Sequence, residues 1–152
     1  MKFAAILLAI LCARAVTAQT YEQKVVAAVL MGEAWNQGAD GMRAVAEVIH
    51  QRSLETRQTP FQVVTHGTFR NRAFRCLNRR TPADLVSHFQ QYPDYARVAL
   101  PMAMWQWPAR YVGITRSATH FTRKGEKPSW ARGYTPVAVV GAHAFYRLPW
   151  IL

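Results

Sequence analysis

The chain predicts an α+β domain, a helical first half followed by a small antiparallel β-sheet. Three observations carry that expectation. Residues 25–31 are apolar without interruption, which covers every side of a helix rather than one stripe and implies burial. Thr59-Pro60 and Thr81-Pro82 each set a capping hydroxyl before a proline, the signature of a helix start. After Pro108 the texture changes to short β-rich stretches separated by Gly, Pro and Ser, and helices followed by strands define the α+β class.

The first segment bounds where the protein works. Lys2 supplies a positive start, residues 3–11 are apolar, and Val16-Thr17-Ala18 offers small residues before Gln19; residues 1–18 read as a secretory signal peptide. The apolar stretch is too short to span a bilayer, so the expected product is exported to the periplasm or the medium, without stable membrane insertion after cleavage. The bulky Leu11 before Cys12 argues against a lipid-anchored cysteine. The remaining residues, 19–152, contain no repeat, low-complexity tract or linker and suit one domain with a modest core; a monomer is expected. The chain is 51% hydrophobic, which excludes global disorder. Loss of Lys2 and Arg14 leaves 17 basic residues against eight acidic ones, a net +9 that favours anionic partners. Cys76 is then the sole thiol, so an internal disulfide or multi-cysteine metal cluster is excluded.

Along the domain, residues 21–35 predict a helix stopped by the turn 36–41, with its two glycines and an Asp. A second helix is expected over 41–53. Met42, Val45, Ala46 and Ile49 share one face, and Glu47 projects from the opposite one, where it reads as a solvated surface charge. Two short helices follow the Thr-Pro pairs, and Pro101 should end or kink a helix built from 95–105. Strands are expected at 111–114, 118–122 and 135–140. Residues 148–152 read equally as a terminal strand or a tail.

Glu33 is the residue that points to chemistry. It closes the apolar helix within Gly32-Glu33-Ala34-Trp35, and a carboxyl group held against apolar neighbours is desolvated, so that it keeps a proton for donation to a leaving group. The competing reading is a carboxylate reaching solvent at a frayed helix end.

Five ordered blocks carry a resemblance. The Gly32-Glu33-Ala34 helix end, the run Ala44-Val45-Ala46-Glu47-Val48-Ile49, Ala73-Phe74-Arg75-Cys76-Leu77-Asn78, Ala118-Thr119-His120-Phe121 with Pro128-Ser129-Trp130-Ala131, and Gly141-Ala142-His143-Ala144-Phe145-Tyr146 together resemble the SleB-type cell wall hydrolases. The resemblance spans about residues 25–147. It implies a lysozyme-like catalytic domain that cuts the glycan strands of peptidoglycan between N-acetylmuramic acid and N-acetylglucosamine, with one essential glutamate that maps onto Glu33, and with no cofactor or metal. A glycosidic hydrolase normally needs a second carboxylate. Asp40 in a turn and Glu47 on an outer face do not supply one, which favours a lytic transglycosylase working with a single glutamate. Two departures stand out: Gln51-Arg52 where the family commonly has Asn-Arg, and Arg43 where a Gln or related polar residue is more usual.

Trp35 and Trp130 adjoin the signature blocks and are candidates for stacking on sugar rings; Trp105, Trp107 and Tyr111 read more simply as core. His120 and His143 are candidates to bond substrate or orient Glu33, against the alternative of core histidines satisfied by backbone. The arginines at 70, 72, 75, 79 and 80, interleaved with Phe69 and Phe74, read as solvated surface that favours an acidic wall. Nucleic acid is not expected as a partner, given export and the absence of a nucleic-acid motif. Cys76 reads as a small buried apolar residue rather than a nucleophile. Two other functions compete: a zinc amidase cleaving the muramic acid to peptide bond with Glu33, His120 and His143 as nominal ligands, and a non-catalytic cationic wall-binding protein.

Overall fold

The helix α1 (Tyr21–Ala34) packs against four others in the computed structural model, which describes residues 18–108 and 111–149. All but Ala18 of the expected signal peptide lies outside the described residues, as do residues 150–152 of the expected tail. Thr20 begins α1 with a capping box: its side chain accepts from the Gln23 N–H and the Gln23 side chain accepts from the Thr20 N–H. Every residue from Val25 to Met31 is buried, as the uninterrupted apolar run predicts. Fully burying a Val or Leu such as Val25, Val29 or Leu30 contributes about 1.5–3 kcal/mol, so the helix end that carries Glu33 is built on a rigid core.

The reversal after α1 is tighter than expected. A 3-10 turn, Trp35–Gln37, leads directly into α2 (Gly38–Thr56), three residues earlier than the expected start. Asp40 lies in the first turn of α2, where a negative charge complements the helix dipole. Helices α3 (Pro60–Thr65) and α4 (Pro82–Phe89) both start at the predicted Thr-Pro pairs, each with a full capping box. The Pro101 region is a π-helical turn, Tyr95–Ala99, followed by α5 (Leu100–Met104); the wider turn precedes the position where Pro101 lacks an N–H.

The strands form two small antiparallel sheets. β1 (Gly67–Thr68) and β2 (Asn71–Arg72) make a hairpin that the residue pattern does not announce. β3 (His120–Arg123), β4 (Ala138–Val140) and β5 (His143–Tyr146) form the sheet in the order β3-β5-β4. The central strand β5, all of it buried, lies in the last signature block rather than in any of the expected strands. Residues 111–114 are not a strand either; they turn against α2.

That turn corrects the reading of Glu47. Helix α2 is covered on two sides: Met42, Val45, Ala46 and Ile49 join the core around α1, while Ala44 and Val48 meet Ala118 and Phe145 beneath the sheet. The face carrying Glu47 is therefore not solvent, and Glu47 is only 4% exposed. Its carboxylate accepts from the Tyr111 hydroxyl at 3.1 Å, the Ile114 N–H at 3.2 Å, the Thr115 N–H and the Thr115 hydroxyl, both at 2.9 Å, and Arg43 Nε at 3.3 Å. Arg43 also donates to the Tyr111 oxygen. The N–H groups of residues 114 and 115 point at a buried carboxylate instead of a partner strand, which is why this β-rich stretch is not β. Gly113 makes the approach possible, with φ of 59° and an added Cβ that would lie 2.3 Å from the Glu47 carboxylate.

Candidate active site

Glu33 stands in the last turn of α1, and its Oε1 accepts the backbone N–H of Cys76 at 2.9 Å. Cys76 belongs to a 3-10 turn, Arg75–Leu77, that lies directly on α1. Gly32 allows this contact: a Cβ there would sit 2.6 Å from the Cβ of Cys76. The Gly32-Glu33 pair thus has a physical reason. The glycine admits the turn, and the turn holds the acid.

Glu33 opens into a cleft of about 330 Å³, walled on one side by Gly32, Ala73, Arg75 and Cys76 and on the other by Phe121, Thr122, Arg123 and His143, with Arg52 also lining it. Arg52 comes from α2, where Nε donates to the Thr119 carbonyl at 2.6 Å and the guanidinium lies 5.1 Å from the centre of the Phe74 ring. Burial pushes Arg52 down to about 9, with the Glu33 charge opposing the shift, so it remains a cation at neutral pH. Burial likewise pushes the Cys76 thiol well up, and the neighbouring Glu33 charge adds to the effect. A thiol held protonated in this way is no nucleophile.

His143 is 6% exposed and held in one tautomer. The Ala142 N–H donates to Gln37 Oε1 at 2.9 Å, which orients the amide, and Gln37 Nε2 then donates to His143 Nδ1 at 2.9 Å. Nδ1 is thereby the acceptor and Nε2 carries the proton. Desolvation lowers the His143 pKa against the opposing pull of Glu33, so the ring is a neutral donor beside the acid.

Of the five residues singled out by sequence, Glu33 and His143 line this cleft. His120 and Trp130 pack on one another, ring centres 5.2 Å apart, and Trp130 meets Tyr146 edge-on at 5.5 Å; neither lines the cleft. Burial, with Arg52 nearby, takes the His120 pKa down to about 4. Trp35 is 59% exposed and borders a separate depression of about 130 Å³ with Met31, His88, Phe89 and Tyr92. The arginine cluster divides. Arg70, Arg79 and Arg80 are exposed, but Arg72 is half-buried and donates to the Thr65 carbonyl at 2.7 Å, and Arg75 is a wall of the cleft. Gln37, Arg52 and Arg123 were not singled out as site residues; Gln37 in a turn carries no signal of the histidine it orients, 106 positions away.

The cleft with its single lining carboxyl group lies between the helical half and the small sheet. The family model described as Cell Wall Hydrolase matches residues 36–146, and the chain belongs to this SleB-type cell wall hydrolase family. The match begins three residues beyond Glu33. Its substrate is therefore the peptidoglycan of the wall, and its α+β fold is lysozyme-like. No curated protein and no solved structure matches the chain. Among the described residues, no helix is long and apolar enough to cross a membrane, and no group of three His, Cys, Asp or Glu side chains is gathered to hold a metal ion.

Proposed function

We propose that the protein cuts peptidoglycan glycan strands as a lytic transglycosylase, with Glu33 as its one catalytic acid and base, acting outside the cytoplasm after export. The observation that carries this reading is that Glu33 is the only carboxylate among the residues lining the cleft. Glu33 gives its proton to the glycosidic oxygen as the bond from C1 of muramic acid breaks, and the departing N-acetylglucosamine takes that proton away as a hydroxyl. The Glu33 carboxylate then removes the proton of the muramic acid 6-hydroxyl, whose oxygen bonds to C1 and closes an anhydro ring. Glu33 ends protonated, and no water is consumed. The neutral His143, with its Nε2–H, is suited to hold a sugar hydroxyl or carbonyl, and Trp35 and Trp130 offer exposed ring faces to a polymer extending beyond the cleft, with His120 packed against Trp130.

One observation favours a second reading, hydrolysis. Glu126 accepts from the Thr122 hydroxyl at 2.8 Å and from Arg75 Nη2 at 2.9 Å, both cleft residues, and these bonds, Thr122 first, hold its carboxyl below the ordinary value. An ionised carboxylate at the rim is suited to activating a water. Mass spectrometry of purified peptidoglycan after incubation separates the routes. Anhydromuramyl ends, formed equally with and without EDTA, are the expected result. Free reducing muramic acid identifies hydrolysis, a freed peptide amine lost in EDTA and restored by zinc identifies an amidase, and an unaltered polymer identifies a binding protein.

A further inference from the structure

The cleft carries more positive charge than cutting a sugar bond needs. Arg52, Arg75 and Arg123 all line it beside Glu33, whereas the amino-sugar backbone is neutral. Two of the three have visible tasks. Arg52 is bonded to the Thr119 carbonyl and lies over Phe74 within reach of the Glu33 charge. Arg75 pairs with Glu126. Arg123 is exposed on β3 and has no ion pair among the described residues; the nearby Glu126 is already taken up by Arg75 and Thr122. Arg123 is the register partner of His143 on β5, and cross-strand partners project from the same face. Its charge thus lies next to the neutral histidine on the wall facing Glu33.

We propose that Arg123 is the centre of a carboxylate subsite, rimmed by Arg75, that recognises the acidic substituent of muramic acid. This rests on the glycan-cleaving reading and specifies its substrate. The muramic acid side arm is the one part of the strand that distinguishes it from a plain N-acetylglucosamine polymer. It presents a carboxylate either on its stem peptide or, where the peptide has been stripped, on the lactyl group itself. A guanidinium at the rim grips either in the bidentate geometry that carboxylates favour, and thereby sets the register of the strand across Glu33.

The test measures binding to full-length protein carrying Glu33→Gln, which leaves the strand uncut. Three soluble oligosaccharides of equal length serve as probes: peptide-bearing strands, peptide-stripped strands with free lactyl carboxylates, and neutral N-acetylglucosamine oligomers. Adding Arg123→Gln should weaken one or both carboxylate-bearing probes about tenfold, the loss of one charge-assisted bond, and the neutral oligomer less than about twofold, with Arg123→Lys recovering part of the loss. Which probe weakens identifies the peptide or the lactyl carboxylate. Arg132→Gln, an exposed arginine outside the cleft lining, removes the same charge and controls for the general field. Equal weakening on all three probes, or the same effect from Arg132→Gln, overturns the subsite. Glycan cleavage is read separately on protein retaining Glu33. If that protein forms no cut ends while Arg123-dependent binding persists, the reaction assignment fails and the subsite stands.

Discussion

Glu33 and Glu47 are both glutamates of buried helices, each held by a segment that a glycine admits, Gly32 letting Cys76 approach and Gly113 lying against the Glu47 carboxylate, and they differ in how many donors reach the carboxylate. Glu47 accepts five hydrogen bonds, from Arg43, Tyr111, Ile114 and twice from Thr115, which fills its roughly four lone-pair sites. It has nothing left to offer a substrate, and it fastens the 111–117 turn to α2. Glu33 takes one backbone N–H, from Cys76, and faces a cleft. A saturated carboxylate is a structural anchor. One held only from the Cys76 side, with an open face toward the cleft, can exchange a proton.

The sharpest way to break the comparison is to replace each acid with its amide. Glu33→Gln should reduce wall lysis about 100-fold to 10,000-fold, the usual contribution of a general acid, with melting temperature nearly unchanged. A folded Glu33→Gln protein with near-normal turnover would end the assignment. Glu47→Gln should do the reverse. It turns an acceptor into a donor amid buried donors and should destabilise by about 3 kcal/mol, read as a lower urea midpoint, while the protein that remains folded keeps most of its specific activity.

The glycines sharpen the same contrast at smaller cost. Gly113→Ala forces a side chain into a left-handed backbone and onto the Glu47 carboxylate, and should cost about 1–3 kcal/mol of stability. Gly32→Ala pushes Cys76 away from α1 and moves the N–H that orients Glu33; its signature should be a lower kcat with a smaller change in melting temperature. If the two substitutions shift stability alike and leave kcat unchanged, the distinction between anchor and acid is wrong.

The smallest effect concerns pH. His120 is held near 4 in the folded chain against an ordinary 6.5, mainly through desolvation. The unfolded chain therefore binds this proton more readily, so stability falls as pH drops from about 6.5 to about 4 and levels off below. His143, lowered in the same sense, adds to the slope. Melting temperatures across that range should decline less steeply in His120→Gln than in the parent; parallel curves would remove His120 from the account.

Much of the fold was legible because it is local. The apolar run of α1, the Thr-Pro starts of α3 and α4 and the change of texture after Pro108 depend on neighbours within a turn or two. The position of Glu33 at the end of a buried helix was legible for the same reason. Pairings between distant residues were legible in no local pattern. Cys76 reaches Glu33 across 43 positions, Thr115 reaches Glu47 across 68, and Gln37 reaches His143 across 106. A one-sided apolar stripe on α2 made Glu47 look solvated, because periodicity reports how a helix meets its first neighbour and not whether a second layer covers its other face. The strand-like residues 111–114 became a turn because a buried carboxylate offered their backbone donors a partner that no local pattern encodes. Residue types and local spacing determined which groups could do chemistry, and the packing of distant segments decided which carboxylate was left with room to do it.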